Sequence, residues 1–460
     1  MRRSIVVFAP LAAAAFVFAC EDDPSSNPST SFPEAGAFDS SRPESDAGLP
    51  DADQPDTATG PKPVTVVVAT RKGPKADVVV VFHDAAGAVI ESKKTGPDGK
   101  AASGVSPLPA MATAILGDRE LLTWTGVQEG DVLPATVEDP SAIATYDVSL
   151  PGLSDAGATE YAAYVGRCSG FGNGSAPIPV TVDEFCLGAG AVLVHAVDPN
   201  GGPVAFASKK NVAGVTDGGT TAITAGAWAA PTNVVATVAN PPVGFGRIKL
   251  TQIASSTLFP QMHFFEGSGS TFQVAPGFAD AIEVNVTIGG DDYGTQRVVG
   301  KRVAPAGAVA LDFAQALPEL TEGAIANAAA APKRPTITWK GTTTAAKGGV
   351  VRFVYFPSQS EMPTRWTMVV PPGTNSVQAP ALPTGTLAAT LPADDAGAST
   401  WQDDPEIVFA DSDLLADYAA FRKVQGAFIG ADSQALEFDD VVLPQNGSVK
   451  ITRYRFSPGR

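Results

Sequence analysis

From Pro63 onward the chain is a succession of short apolar runs broken by glycine, proline and aspartate. Val64 to Ala69 and Val78 to Phe82 are dense in valine, and Ala88 to Ser92 follows across the turn residues Asp84 to Gly87. Short β-branched runs bounded by turn formers predict strands. The pattern recurs over Leu121 to Trp124, Ala144 to Leu150, Val192 to Val197, Val204 to Ala207, Asn233 to Val238, Ile248 to Ile253, Gln261 to Phe265, Ala281 to Ile288, Gln296 to Val303 and Ser448 to Phe456. The last of these carries Arg453 and Arg455, which suits a charged sheet edge. The clearest helical period lies near the C-terminus. There Leu414, Leu415, Tyr418 and Phe421 share one stripe, Asp411 or Ser412 can cap it, Arg422 and Lys423 fill the last turn and Gly426 ends it. The expectation is a mainly β chain of tandem β-sandwich modules with one short C-terminal α-helix at 412–424.

Punctuation divides the body. Pro151-Gly152 closes a first unit, 63–150, and the segment 317–333, alanine-rich and stopped by Pro332, reads as a short helix or extended linker. These limits give a β-sandwich, 63–150, a β-sandwich region with a cysteine-bounded loop, 151–331, and a C-terminal β domain, 332–460. In the middle region, Thr216-Asp217-Gly218-Gly219 echoes the earlier Thr95-Gly-Pro-Asp98-Gly99, which suggests a second copy of the first unit starting at Ala191.

Two stretches carry family resemblances. Val64 to Leu116, with Gly87 in a hairpin turn and Thr95, Asp98 and Gly99 in the next, resembles the carboxypeptidase regulatory-like (transthyretin-like) module, a β-sandwich. These residues form turns rather than a site. Thr336 to Trp339, Val350 to Tyr355, Trp366 to Val370 and the Leu382-Pro-Thr-Gly385-Thr stretch resemble a fibronectin type III-like sandwich, with Leu387 standing where that family places a corner tyrosine.

Composition changes the picture at the N-terminus. Arg2 and Arg3 precede an uncharged apolar run, Ile5 to Ala19, and then Cys20. That layout is an export signal, and about 22 Å of helix is too short for about 30 Å of hydrocarbon. Val17-Phe18-Ala19-Cys20 resembles the lipobox of bacterial lipoproteins, which implies a signal peptide at 1–19 and lipid on the Cys20 thiol. Residues 21–60 hold ten acids against Arg42. With almost no large apolar side chain, residues 20–62 read as a lipidated cysteine followed by a disordered acidic, proline-rich tether. Formal net charge is −17 for the whole chain. With no basic cluster it excludes nucleic acid as a partner, because phosphates demand lysine and arginine. The partners expected are a membrane, through the N-terminal lipid, and an envelope protein or polysaccharide. The expected location is the cell envelope, at the outer membrane or cell surface.

Candidate chemistry is sparse. Cys168 and Cys186 flank a glycine-rich loop, and in an exported chain with Cys20 lipidated they are left to pair as a disulfide. Gly166-Arg-Cys168-Ser-Gly170 matches a nucleophile-elbow spacing, but no helical period follows it. A metal site from Cys168, Cys186 and His195 lacks the close ligand pair of structural zinc sites, so no metal and no cofactor is expected. His83, His195 and His263 sit far apart in strand-like runs, and no catalytic motif is present, so no catalytic residue is assigned. Trp339 and Trp366 are either core residues or platforms for sugar stacking. Three functions follow: a non-enzymatic structural, adhesion or binding protein, which the residues favour; a carbohydrate-binding surface lipoprotein; and an envelope hydrolase assembled from distant acids.

Overall fold

A computed structural model describes residues 60–457 except 71–72, 118, 138–143, 151–157, 159, 174–176, 184–185, 199–201, 225–227, 243–245, 266–267, 290–293, 327–333, 356–362, 387–404, 425–442 and 444–445. Cys20 and the tether up to residue 59 lie outside these residues, as do Trp401 and the paired acids at 291–292, 394–395, 403–404 and 439–440. The fold is mainly β, as the hydrophobic pattern predicts, and it is built from tandem sandwiches.

One connectivity is used four times. The first module runs Thr65–Thr70, Val79–His83, Val89–Lys94, Lys100–Ala102, Met111–Leu116, Glu120–Thr125 and Val132–Thr136. Its first strand pairs antiparallel with the fourth and parallel with the seventh, and the others form a second sheet in the order sixth, fifth, second, third. The strands Ala144–Ser149, Glu160–Val165, Cys168–Gly172, Ile178–Val182, Ala191–Val197, Pro203–Lys210 and Thr220–Ala222 repeat this order and these directions. So do Thr232–Ala239, Gly246–Ala254, Thr257–Phe265, Gly269–Val274, Ala281–Gly289, Gly294–Val303 and Ala308–Asp312. Among the described residues the fourth module shows six of these positions: Thr336–Lys340, Gly348–Tyr355, Thr364–Val370, Ser376–Gln378, Glu406–Ser412 and Ser448–Arg455. Beside its first strand lies Thr321–Ala326, which precedes it in the chain and runs antiparallel.

These boundaries correct the sequence reading. Ala144–Ser149 belongs to the second module, not the first, because it pairs with Ile178–Val182 and Thr220–Ala222. The region 151–331 contains parts of two sandwiches rather than one. A repeat exists, but it does not start at Ala191. The Asp98-Gly99 turn leads into a fourth strand and the Asp217-Gly218 turn into a seventh, so the two are not equivalent. Residues Thr321–Ala326 are a strand rather than a helix or linker, because Ile325 faces Ile337 across the pair and the backbone gains a ladder.

The larger sheets of modules three, four and one merge into a single twelve-stranded sheet. Gly294–Val303 pairs antiparallel with Ser448–Arg455, and Thr364–Val370 pairs parallel with Glu120–Thr125. Both faces of its middle are covered. Val80, Phe82, Trp124, Val350, Val369, Val408 and Ile451 pack with Val64, Val66 and Val68 on one side. Val81, Leu121, Val351, Phe353, Trp366 and Phe409 pack with Ile337 and Trp339 on the other. Double coverage explains why these strands read as continuous apolar runs rather than clean alternation. Ser448–Arg455 is therefore an interior strand, and Arg453 is buried, contrary to the edge position expected for it.

The helix is Tyr418–Val424, shorter than the expected 412–424. Ser412 ends a strand paired with Val449, and the Asp413 carboxylate accepts from Ser448 N–H at 2.6 Å, so the sheet holds the residues that would begin the helix. Asp417 caps it instead, accepting from Ala420 N–H at 2.8 Å, and Leu414 is left exposed. Phe421 inserts into the core below.

Candidate functional site

The disulfide expected from the sequence is present: Cys168 and Cys186 are bonded, with Cα atoms 6.1 Å apart. It ties the third strand of module two to the turn after its fourth. Gly166, with φ of +62°, makes the tight turn that brings Cys168 there. Cys186 is fully buried and Cys168 partly so. Around the pair, Cys168 N–H donates to Cys186 Sγ at 3.1 Å, and Cys186 N–H donates to Asp183 Oδ1 at 3.2 Å. Arg167 Nη2 lies 3.7 Å from Asp183 Oδ2.

Neither tryptophan proposed for sugar stacking is open to solvent. Trp339 is 3% exposed and Trp366 is wholly buried, so both are core residues. The Trp366 indole N–H donates to Thr123 Oγ1 at 2.9 Å. That hydroxyl lies 2.9 Å from Thr113 Oγ1, which lies 2.9 Å from His83 Nε2. The chain of polar groups crosses four strands inside the sheet and joins modules one and four.

The three histidines occupy three separate places. His83 is fully buried, and burial, helped by the Arg334 guanidinium, lowers its pKa to about 4. His195 sits between the rings of Tyr164 and Phe206, at 4.6 and 4.7 Å, and burial lowers it also to about 4. His263 stacks on Phe272 at 4.3 Å, with Nδ1 3.0 Å from Ser270 Oγ, and burial lowers its pKa. Each imidazole is held neutral near pH 7 as a packing group, and His83 and its threonine neighbour face no solvent that could bring a substrate.

Two buried ionic clusters escaped sequence reasoning. Glu406 lies between Arg352, 3.2 Å away, and Arg453, in close contact, on three adjacent strands. Burial pushes the Glu406 carboxyl up, but the guanidinium groups of Arg352, Arg453 and Arg455 outweigh it and hold the group below the usual range. Burial raises Glu120 at the same end of the sheet, against Arg365 and Arg352. In the second cluster, Arg422 is 1% exposed, pairs with Asp131 at 2.6 Å and stacks on Tyr418 at 4.8 Å. Tyr418 in turn donates to Thr125 and Val369 carbonyls at 2.8 and 3.0 Å. The sequence signal for the first was Arg453-x-Arg455, whose period-two spacing puts both on one face. The partners sit at distant positions that only pairing brings together.

No family model matches the sequence, and no curated protein is significantly similar to it. Among solved structures, the chain is similar to the Bacillus anthracis TIE protein at 11% identity, over 55% of this chain and 50% of that one, with a TM-score of 0.15. It is also similar to the pilus adhesin SpaC from Lactobacillus rhamnosus GG at 9% identity, over 67% of this chain and 43% of that one, with a TM-score of 0.12. The chain thus spans half or less of the length of these structures, and TM-scores of this size define no shared fold.

Proposed function

We propose that the chain is exported and anchored to the cell envelope by lipid on Cys20, where its β body acts as a structural, adhesive or binding protein without catalysis of its own. The observation that carries this reading is the order of parts along the chain: a charged start, an apolar run ending in Cys20, an acidic tether, and a multi-module β body. A tether of 42 residues extends up to about 130 Å at about 3.1 Å per residue, enough to lift that body clear of a membrane. The carboxypeptidase regulatory-like resemblance of Val64 to Leu116, in the first module, extends, on this reading, to the other modules through their shared connectivity. That favours one repeated module over a fibronectin type III-like unit at the C-terminus. A polysaccharide partner would have to use groups other than Trp339 and Trp366, which leaves an envelope protein as the favoured partner.

Mass spectrometry of the mature N-terminus tests the anchor: a diacylated or triacylated Cys20 is expected, and an unmodified peptide running through Cys20 would overturn it. Pull-down from envelope fractions with the acyl-free body, residues 60–460, tests the binding role.

A further inference from the structure

The geometry points to a second state of the Cys168–Cys186 staple: once reduced, the two cysteines and Asp183 form a binding site for a thiophilic divalent cation such as zinc. Two sulfurs and a carboxylate oxygen already converge, all within 4.8 Å of one another, and Asp183 Oδ1 is 3.5 Å from Cys168 Sγ. Zinc–thiolate bonds of about 2.3 Å in a tetrahedron hold their sulfurs about 3.8 Å apart. With Cα atoms 6.1 Å apart, side-chain rotation alone reaches that separation after the S–S bond is cleaved.

The surroundings suit a metal thiolate. The Cys168 N–H directed at Cys186 Sγ favours the ionised sulfur. Asp183 is oriented from two sides, by the Cys186 N–H on one oxygen and by Arg167 on the other, which is the kind of outer support that fixes ligands in metal sites. Cys186 is buried while Cys168 is partly exposed, so reductant enters from that side and water completes the fourth position. Among the described residues this is the one such grouping, and it lies in module two, whose larger sheet stays outside the shared twelve-stranded one.

The chemistry balances with a dithiol as reductant. The disulfide gains two electrons and two protons to give two thiols, while the dithiol closes to its own disulfide. Binding of the cation then releases the two thiol protons. Disulfide and metal are therefore mutually exclusive states, and bound metal shields the sulfurs from reoxidation.

Cobalt(II) is the probe. The acyl-free body, residues 60–460, whose cysteines are Cys168 and Cys186, reduced and freed of reductant without oxygen, is expected to bind one equivalent with a thiolate-to-cobalt charge-transfer band and tetrahedral visible bands. The oxidised chain is expected to show neither, and zinc should bleach both. Asp183→Asn should weaken cobalt binding by at least about tenfold, and Cys186→Ser should abolish the charge-transfer band. A reduced chain that keeps its β circular dichroism yet shows no such band overturns the site, and unchanged affinity in Asp183→Asn removes the carboxylate from it. Where reduction loosens module two, cobalt is expected to restore its resistance to proteolysis, and failure to restore it also counts against the site.

Discussion

Trp366 by residue type suits a binding surface, yet its ring fills the core and its N–H closes a polar chain through Thr123 and Thr113 to His83. Trp366→Ala is expected to cost about 3–5 kcal/mol in chemical denaturation, as for other buried aromatic truncations. Glu406→Gln removes the counter-charge from buried Arg453 and should cost about 3–5 kcal/mol, because an unpaired buried charge remains. His83 gives stability a pH dependence. Its ordinary value is 6.5 and its folded value about 4, so between these the unfolded chain binds a proton that the folded chain refuses. The His83 contribution is therefore fully present above about 6.5 and is lost as pH drops toward 4, by on the order of 3 kcal/mol, and buried His195 adds a dependence of the same sign. Denaturation midpoints measured across this range should flatten in His83→Gln relative to the parent chain.

At the scale of elements, local sequence specified type well and limits less well. The strand between Gln261 and Phe265 was legible from its apolar residues, but its true start at Thr257 depends on a two-residue hairpin turn, Ser255-Ser256, with φ of +49° and +60°. Serine carries no strong signal for that left-handed conformation. Ser256 is exposed, so Ser256→Gly should relieve the strain and raise stability by up to about 1 kcal/mol, read from the urea midpoint. The helix was legible from its stripe, but its first turn was taken by the sheet through Asp413 and Ser448. The disulfide followed from cysteine count and compartment. Closing a loop with a separation of 18 residues should stabilise module two by about 3 kcal/mol, a loss that reduction in the absence of metal should reveal.

The whole molecule is governed by strand edges. Modules one, three and four hide edges against one another in the twelve-stranded sheet, while the larger sheet of module two pairs with none of them. Its outer face is covered instead by apolar contact, Ala191, Leu193 and Phe206 packing with Ala254, Phe259 and Phe278 of module three, so a fragment spanning 143–230 is expected to unfold at lower urea than the same segment in the full chain. A fragment spanning 63–137 should show dispersed amide signals in NMR only when mixed with 334–460, which supplies Thr364–Val370 and the Arg422 contact to Asp131. By itself the sequence determined the β class, many of the turns, the presence of a helix around Tyr418 and Phe421, and the cysteine pairing. These depend on neighbours in the chain, on period and on residue chemistry. Only the tertiary structure decided that one connectivity recurs, that Trp339 and Trp366 are core, that Arg453 is interior, and which ions pair. Those outcomes depend on edge-to-edge contacts between segments hundreds of residues apart, such as Trp366 with Thr123 at a separation of 243, and periodicity within a strand carries no record of its partner.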